Sequence, residues 1–434
     1  MTTGLDRLAT APWRELHQTL PVLKRFFGGD PHAHGMRGLL HAVDSYLRDV
    51  RAHVEAGHPV VWYNLGFNSE LIHALGDTCP IPIEALGVMH NLLGNITTSL
   101  DFLDTAVAAG VPYDCCSADK LAIGAIHHDL YPAPACTVGI NTPCDSQVMA
   151  TQVMAELAHA PFFPIDVPYY QDKACVDHVA AQLADLIPFL EEHTGRKLDI
   201  DRLREACSLS NAMTEAIWDW LAWRQHIPCT QSSKLVSLTL ILQILFAGTQ
   251  EGVTLARSLL REAKERTELG QRFFEERARA VWYQDPVWTD MQIYDWFERD
   301  LGLTVPIDVF GYYAQEGLID TTSETTMLRG LAHKLANCHP MARQFRGSFD
   351  VYLRDLLHMH EAWNADCAIF AGHIACKHAW GGIGLLREGC RKAGIPLLVF
   401  EFDMFDPRVT SHENIFFEVE RFVNEVVLPR KMRG

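Results

Sequence analysis

Short apolar runs that alternate with helical segments, twice over, most restrict how this chain can fold. The runs at 59–65, 78–83, 135–141 and 162–167 are apolar at consecutive positions rather than at every second one. Helical spacing fills the stretches 68–75, 85–108, 117–130 and 146–158. Strands without a polar face must be covered on both sides, which is the condition of a parallel sheet between layers of helices. The alternation stops near residue 171. From there to 278 no strand signal occurs, and 173–194, 199–225, 232–246 and 249–278 read as four successive helices. It resumes at Arg279-Ala-Val-Trp-Tyr283, with further strands at 304–310, 366–372 and 396–402 among helices that include 291–300, 348–364, 382–392 and 413–427.

The predicted fold is therefore α/β: two parallel-sheet domains joined by a helical connector. The expected division is a helical N-terminal segment 1–58, a first α/β domain 59–170, the connector 171–278 and a second α/β domain 279–434. With 434 residues, 48% of them hydrophobic, there is ample material for two cores. No close internal sequence repeat accompanies the architectural one.

Charge excludes one class of partner. Thirty-seven basic against 54 acidic residues leave −17, the wrong sign for a phosphate backbone, so no nucleic-acid partner is expected. The N-terminus lacks a basic segment followed by an apolar stretch, and the greasiest run, 235–247, is too short to span a bilayer and reads as a buried helix. A cytoplasmic protein with no membrane partner is the expectation, and Asn95-Ile-Thr97 then matches a glycosylation site only formally.

Twelve cysteines are many for such a protein. Disulfides are disfavoured in that compartment, so the thiols either do metal or redox chemistry or fill the core as small hydrophobes. Ligands of open α/β sheets bind beyond the carboxyl ends of the strands, and this rule sorts them. Cys144 and Cys376 each follow a strand directly, Cys115 and Cys116 open a helix, and Cys338 sits in a loop before Pro340. Cys175, in the first turn of a helix after a strand, is a further candidate. Cys79, Cys136, Cys207, Cys367 and Cys390 fall within strands or helices and read as packing residues; Cys229 is in a loop far from any strand end. Paired Cys-x-x-Cys spacing of zinc sites, ferredoxin spacing and a Walker phosphate loop are all missing from the sequence. A cubane held by dispersed cysteines fits the positions, though spacing alone leaves core packing open.

Beside the cysteines, His373, Lys377 and His378 flank Cys376 and could donate protons or hydrogen bonds, with solvated or capping side chains as the plain alternative. Asp145 and Ser146 read as caps of the helix after Cys144, and His127-His128 as a helix end. Trp282, Tyr283 and Trp288 could line a pocket or pack in the core.

The segments Cys116-Ser, Asn141-Thr-Pro-Cys-Asp-Ser-Gln147, Phe162-Phe-Pro-Ile-Asp-Val-Pro-Tyr169, Phe189 to Lys197, Cys376, Gly394-Ile-Pro-Leu-Leu398 and Asp403-Met-Phe-Asp-Pro-Arg408 together resemble the 2-hydroxyacyl-CoA dehydratase and benzoyl-CoA reductase family, from about residue 59 onward. The resemblance implies two flavodoxin-like domains, a [4Fe–4S] cluster on Cys116, Cys144 and Cys376, and a separate ATP-hydrolysing activator that supplies low-potential electrons. The doublet Cys115-Cys116 and the extra Cys338 depart from the common pattern. They are similar to the branch with a double-cubane [8Fe–9S] cluster, for which Cys115, Cys116, Cys144, Cys338 and Cys376 would serve as ligands with Cys175 as a sixth; in the plain alternative Cys115 packs behind Cys116.

The leading functional expectation is thus an ATP-dependent reductase of a small-molecule substrate at a double cubane, working as a homodimer or with a related subunit. The alternatives are a single-cubane subunit of a 2-hydroxyacyl-CoA dehydratase or aromatic acyl-CoA reductase, and a non-catalytic electron carrier.

Overall fold

The computed structural model describes residues 3–93, 96–346 and 349–432; Asn95, the first residue of the formal glycosylation triplet, lies outside them. Among the described residues, eight strands form two parallel four-stranded sheets. The first contains β1 (Val60–Tyr63), β2 (Cys79–Pro82), β3 (Cys136–Ile140) and β4 (Phe162–Ile165) in the order β2-β1-β3-β4. The second contains β5 (Ala278–Trp282), β6 (Leu303–Asp308), β7 (Cys367–His373) and β8 (Leu397–Phe402) in the matching order β6-β5-β7-β8. That order agrees with a flavodoxin-like sheet, and the strand order reverses between β1 and β3 and between β5 and β7, the switch points at which such sheets bind ligands. The α/β class with paired parallel sheets is as the sequence predicts.

Burial explains the apolar runs. Every residue of the central strands β1, β3, β5 and β7 is buried, whereas the edge strands β4 and β8 are partly exposed. Helices between the sheets start where polar side chains satisfy free N–H groups: Asp172 accepts from Cys175 N, Asp199 from Asp201 and Arg202 N, and Thr249 from Gly252 N. The last helix is shorter than its periodicity suggests. Gln250–Glu268 stops at Leu269, Gly270 takes a left-handed φ of +61°, and the chain turns into β5 instead of staying helical to residue 278. The greasy 235–247 run is two short buried helices, Lys234–Leu238 and Leu240–Phe246. No helix among the described residues is long and apolar enough to cross a membrane.

The N-terminal helices Ala11–Phe27 and His34–Glu55 are not an appendage. Gly35 N donates to Glu262 Oε2 at 2.7 Å, and Trp13 Nε1 donates to Leu130 O at 2.8 Å. Their apolar faces join one continuous core with β1, β2 and the whole second sheet. They also wall the cavity described next.

Candidate metal centre and adjoining cavity

Three of the candidate cysteines play the same structural part. Cys116, Cys144 and Cys376 are the N-cap residues of helices Ser117–His127, Asp145–Leu157 and Lys377–Gly381. A cap normally offers an oxygen to the free N–H groups of the first turn. Here the position holds sulfur and no capping bond is closed, yet the amides of Ala118, Gln147 and Ala379 face the three sulfurs and favour their thiolate forms.

The three thiols lie within range of one another's charge. Burial is the largest influence on each and pushes it up; Cys116 then feels Asp119, Cys144 and Cys376, while Cys144 feels Asp119 and Cys376. Burial, with Asp285 beside it, takes Cys376 up to about 12. Three partly buried sulfurs that repel one another as anions stay protonated unless a cationic centre joins them. That donor set, with amide N–H groups turned toward it, suits the thiolate ligation of an iron–sulfur core. Cys116 and Cys144 come from the first half of the chain and Cys376 from the second, so a centre on these thiols would lie where the two halves meet.

The other candidate cysteines have other partners. Cys115 Sγ lies 3.8 Å from Ser146 Oγ, which itself donates to Asp119 Oδ2 at 2.9 Å, so it borders the trio. Cys338 Sγ donates to Glu316 O at 3.3 Å and clusters with the Glu316 and His333 side chains. Cys175 is buried among Val167, Val179 and Leu183, and Arg346 Nη1 donates to its sulfur at 3.5 Å. Cys229 donates to Gln231 O at 3.6 Å. Cys79, Cys136, Cys207, Cys367 and Cys390 are each at most 1% exposed within the apolar cores.

The three polar residues around Cys376 divide. His373 is buried at the end of β7; the N–H groups of Ser117 and Met404 point at its Nε2 and Nδ1 from 3.5 and 3.4 Å, and burial lowers its pKa. Lys377 is exposed and pairs with Asp114 Oδ2 at 2.6 Å. His378 is exposed and within range of the Asp145 charge. Neither Asp145 nor Ser146 is the cap expected of it, because Cys144 occupies that position and Ser146 is committed to Asp119. Gln284, beside Asp285, has a φ of +121°, and both polar atoms of its side chain are buried without a partner among the described residues. Such left-handed geometry in a residue with a Cβ costs about 1–3 kcal/mol and is concentrated at functional sites.

An apolar cavity of about 370 Å³ adjoins the centre. Leu39, Leu40 and Val43 wall it on the N-terminal side, Ile241 and Leu245 come from the connector, and Trp288, Met404 and Phe405 from the second half. Ala118, two residues past Cys116, opens onto it. Of the three aromatics marked in the sequence, Trp288 lines the cavity, while Trp282 and Tyr283 are fully buried packing residues.

Two of the acids that line this cavity are buried, and the sequence reading passed over both. Glu84 follows β2, accepts from Gln147 Nε2 at 3.0 Å and leaves Oε2 buried without a partner. Burial pushes its carboxyl up to about 8. Asp285 follows β5, leaves Oδ2 buried without a partner, and is pushed up to about 7 by burial and by Asp403. Near neutral pH Glu84 is thus mostly protonated and Asp285 exchanges a proton readily, both through burial. The strand-end rule that found the cysteines would have found them had it been applied to carboxylates.

Paired parallel sheets, a cysteine-lined centre at their junction and an apolar cavity beside it define the class: a two-lobed α/β protein with a thiol site at its cleft. The chain belongs to the family described as 2-hydroxyglutaryl-CoA dehydratase, D-component, whose model matches residues 64–426. It is 24% identical over 393 residues to the (R)-phenyllactyl-CoA dehydratase alpha subunit of Clostridium sporogenes, which covers 87% of this chain and 91% of that one. It is 25% identical over 348 residues to one of the subunits of the benzoyl-CoA reductase of Thauera aromatica, covering 74% and 78%. The family expected from the cysteine motifs is the family matched.

Proposed function

We propose that the chain is the iron–sulfur subunit of an enzyme that reduces or dehydrates an apolar small molecule, with Cys116, Cys144 and Cys376 holding a [4Fe–4S] cluster. The observation that carries this reading is the meeting of three N-cap cysteines from two sheets beside an apolar cavity. When bound, the cluster supplies one-electron chemistry at low potential. The chain's own residues supply the rest: amides that stabilise the thiolates, a wall of Leu, Ile, Val and Met side chains that excludes water, and Glu84 and Asp285 as acids that hold a proton at the cavity surface. An acyl or aryl group suits a cavity of that lining. The cavity also favours an enzyme over a plain electron carrier, which has no use for it.

Electrons would come from a separate ATP-hydrolysing iron–sulfur activator, in keeping with a sequence that has no phosphate loop, and the chain would pair with itself or with a related subunit. The double-cubane form would draw on Cys115, which borders the trio. Its further ligands, Cys338 and Cys175, are engaged with Glu316 and Arg346, which favours the single cubane.

Iron and acid-labile sulfide counted on anaerobically prepared protein test the reading. About four iron atoms per chain support it, and about eight restore the double cubane. A chain without iron that also shows no ATP- and activator-dependent turnover sinks it.

A further inference from the structure

Among the described residues, two groups bring three potential metal ligands within 4.8 Å of one another, both apart from the cysteine trio. In one, His32 and His34 converge on Glu265, but Arg37 Nη2 already donates to His34 Nδ1 at 3.1 Å and Arg261 Nε to Glu265 Oε1 at 2.6 Å. Two guanidinium groups at the ligands oppose a cation. The other group meets one guanidinium only: Arg343 Nη1 donates to Glu316 Oε1, while His333 and Cys338 accept from no arginine among the described residues.

We propose that Glu316, His333 and Cys338 bind one divalent transition-metal ion of the zinc class, at a site distinct from the cysteine centre. The inference stands independently of the cluster reading. A thiolate, an imidazole and a carboxylate are the three ligand types of zinc sites, and sites with three protein ligands keep a fourth position open. The backbone is shaped for the convergence. Helix Glu324–His333 runs into the π-helical turn Lys334–Cys338, whose i→i+5 bonding returns the chain to the same side after five residues and so stacks Cys338 over His333. Glu316 approaches from the facing loop, with Oε2 3.8 Å from His333 Nε2.

The nearby cations are largely neutralised by other carboxylates. Arg343 forms a two-point pair with Asp355 (2.8 and 3.1 Å), and its Nη1 donates to Asn337 O at 2.8 Å and to Glu316 Oε1 at 2.7 Å, which leaves Oε2 for the ion. Lys334 Nζ is held by Glu70 Oε1 at 2.7 Å. Outside the ligands stands Asn337, buried, 3.1 Å from His333 Nδ1 and with its Oδ1 lacking a partner. The two ends of an amide are interchangeable in placement. Turned over, the orphaned Oδ1 accepts Nδ1–H, fixes the tautomer with a free lone pair on Nε2, and acts as the outer partner that metal-bound histidines require. A cleft of about 20 Å³ beside Glu316 and Cys338, near Thr214 and Tyr313, has room for one water in the fourth position.

Equilibrium dialysis of the anaerobically purified full-length protein against Zn2+ alone, followed by zinc-edge X-ray absorption, tests this. The expected result is one zinc per chain with a single sulfur at about 2.3 Å and nitrogen or oxygen at about 2.0–2.1 Å. Cys338→Ser should remove the sulfur signal, and His333→Gln and Glu316→Gln should each weaken binding at least tenfold. Asn337→Ala should weaken it about 10–100-fold while Asn337→Asp restores it. Zn2+ should raise the melting temperature of the wild type and leave that of His333→Gln unmoved, which separates loss of binding from loss of fold. Zinc with three sulfur neighbours, zinc retained by Cys338→Ser, or loss of iron in Cys338→Ser would each overturn the proposal.

Discussion

The backbone N–H of Ser117 points at Nε2 of His373 across 3.5 Å, and this contact ties the helix behind Cys116 to the strand that leads to Cys376. One end belongs to the first half of the chain and the other to the second. His373 is buried, and its other ring nitrogen faces Met404 N. Replacement by phenylalanine keeps the bulk and removes the one ring nitrogen that a neutral imidazole offers as acceptor, leaving an amide without its partner at about 1–3 kcal/mol. His373→Phe should therefore lower the unfolding midpoint and loosen the centre together. Chemical denaturation combined with iron content checks this; a stable variant with full iron would show that the contact is incidental.

The cysteines should separate into groups when each is changed to serine. Cys116→Ser, Cys144→Ser and Cys376→Ser are expected to lose most bound iron while keeping the fold, since serine is a poorer ligand of similar size. Cys338→Ser and Cys175→Ser should retain it. Cys115→Ser is the informative case: unchanged iron places it behind the centre, and loss of about half the iron makes it a ligand of a second cubane. Anaerobic metal analysis on the six variants gives the answer.

Glu84 couples the cavity to pH. Its carboxyl is raised in the folded protein to about 8, from an ordinary value of 4.5. The folded state thus holds the proton more tightly than the unfolded one, so this group's stabilising contribution is complete below pH 4.5 and is lost as pH rises toward 8. The slope reaches about 1.4 kcal/mol per pH unit. Glu84→Gln should flatten the stability profile between pH 5 and 8, and should slow turnover if the proton is used in the reaction. Urea titrations across that range test the first part.

Gly66 lies where the loop after β1 crosses the segment that carries Cys144. A Cβ built there would sit 1.8 Å from the Thr142 carbonyl oxygen, so backbone must move to admit one. Gly66→Ala should cost about 1–3 kcal/mol and displace the Cys144 loop, with iron lost beyond what the drop in stability explains. Thermal unfolding and iron content on the same samples decide it.

Much of the fold was legible because burial leaves a plain mark. Val60-Val-Trp-Tyr63 and Cys367 to His373 are apolar without alternation, and only a strand covered on both faces needs that. Helix ends were harder. Periodicity carried the helix that begins at Gln250 past Glu268 because Arg272 to Arg277 mixes charged and apolar residues as a helix would, whereas the structure ends it at Leu269 and Gly270. At the centre, strand-end position singled out Cys144 and Cys376 from one sequence. It gave no sign that Cys338 keeps company with Glu316 and His333, because that depends on a π-helical turn and a loop from elsewhere in the chain. The cavity was equally hidden: Leu39, Leu40 and Val43 look like any amphipathic helix face until the helix is placed against the second half.

Three cap cysteines drawn from both lobes also set the order of biosynthesis. As the chain leaves the ribosome, Cys116 and Cys144 are present while Cys376 is still unmade, and the first sheet can close with two thiols and no third. A metal core bound at that stage would be incompletely held and open to oxygen. If the three thiols hold the proposed cluster, its loading waits for the finished chain, and iron content would report on whether synthesis and folding of the C-terminal half have run to completion.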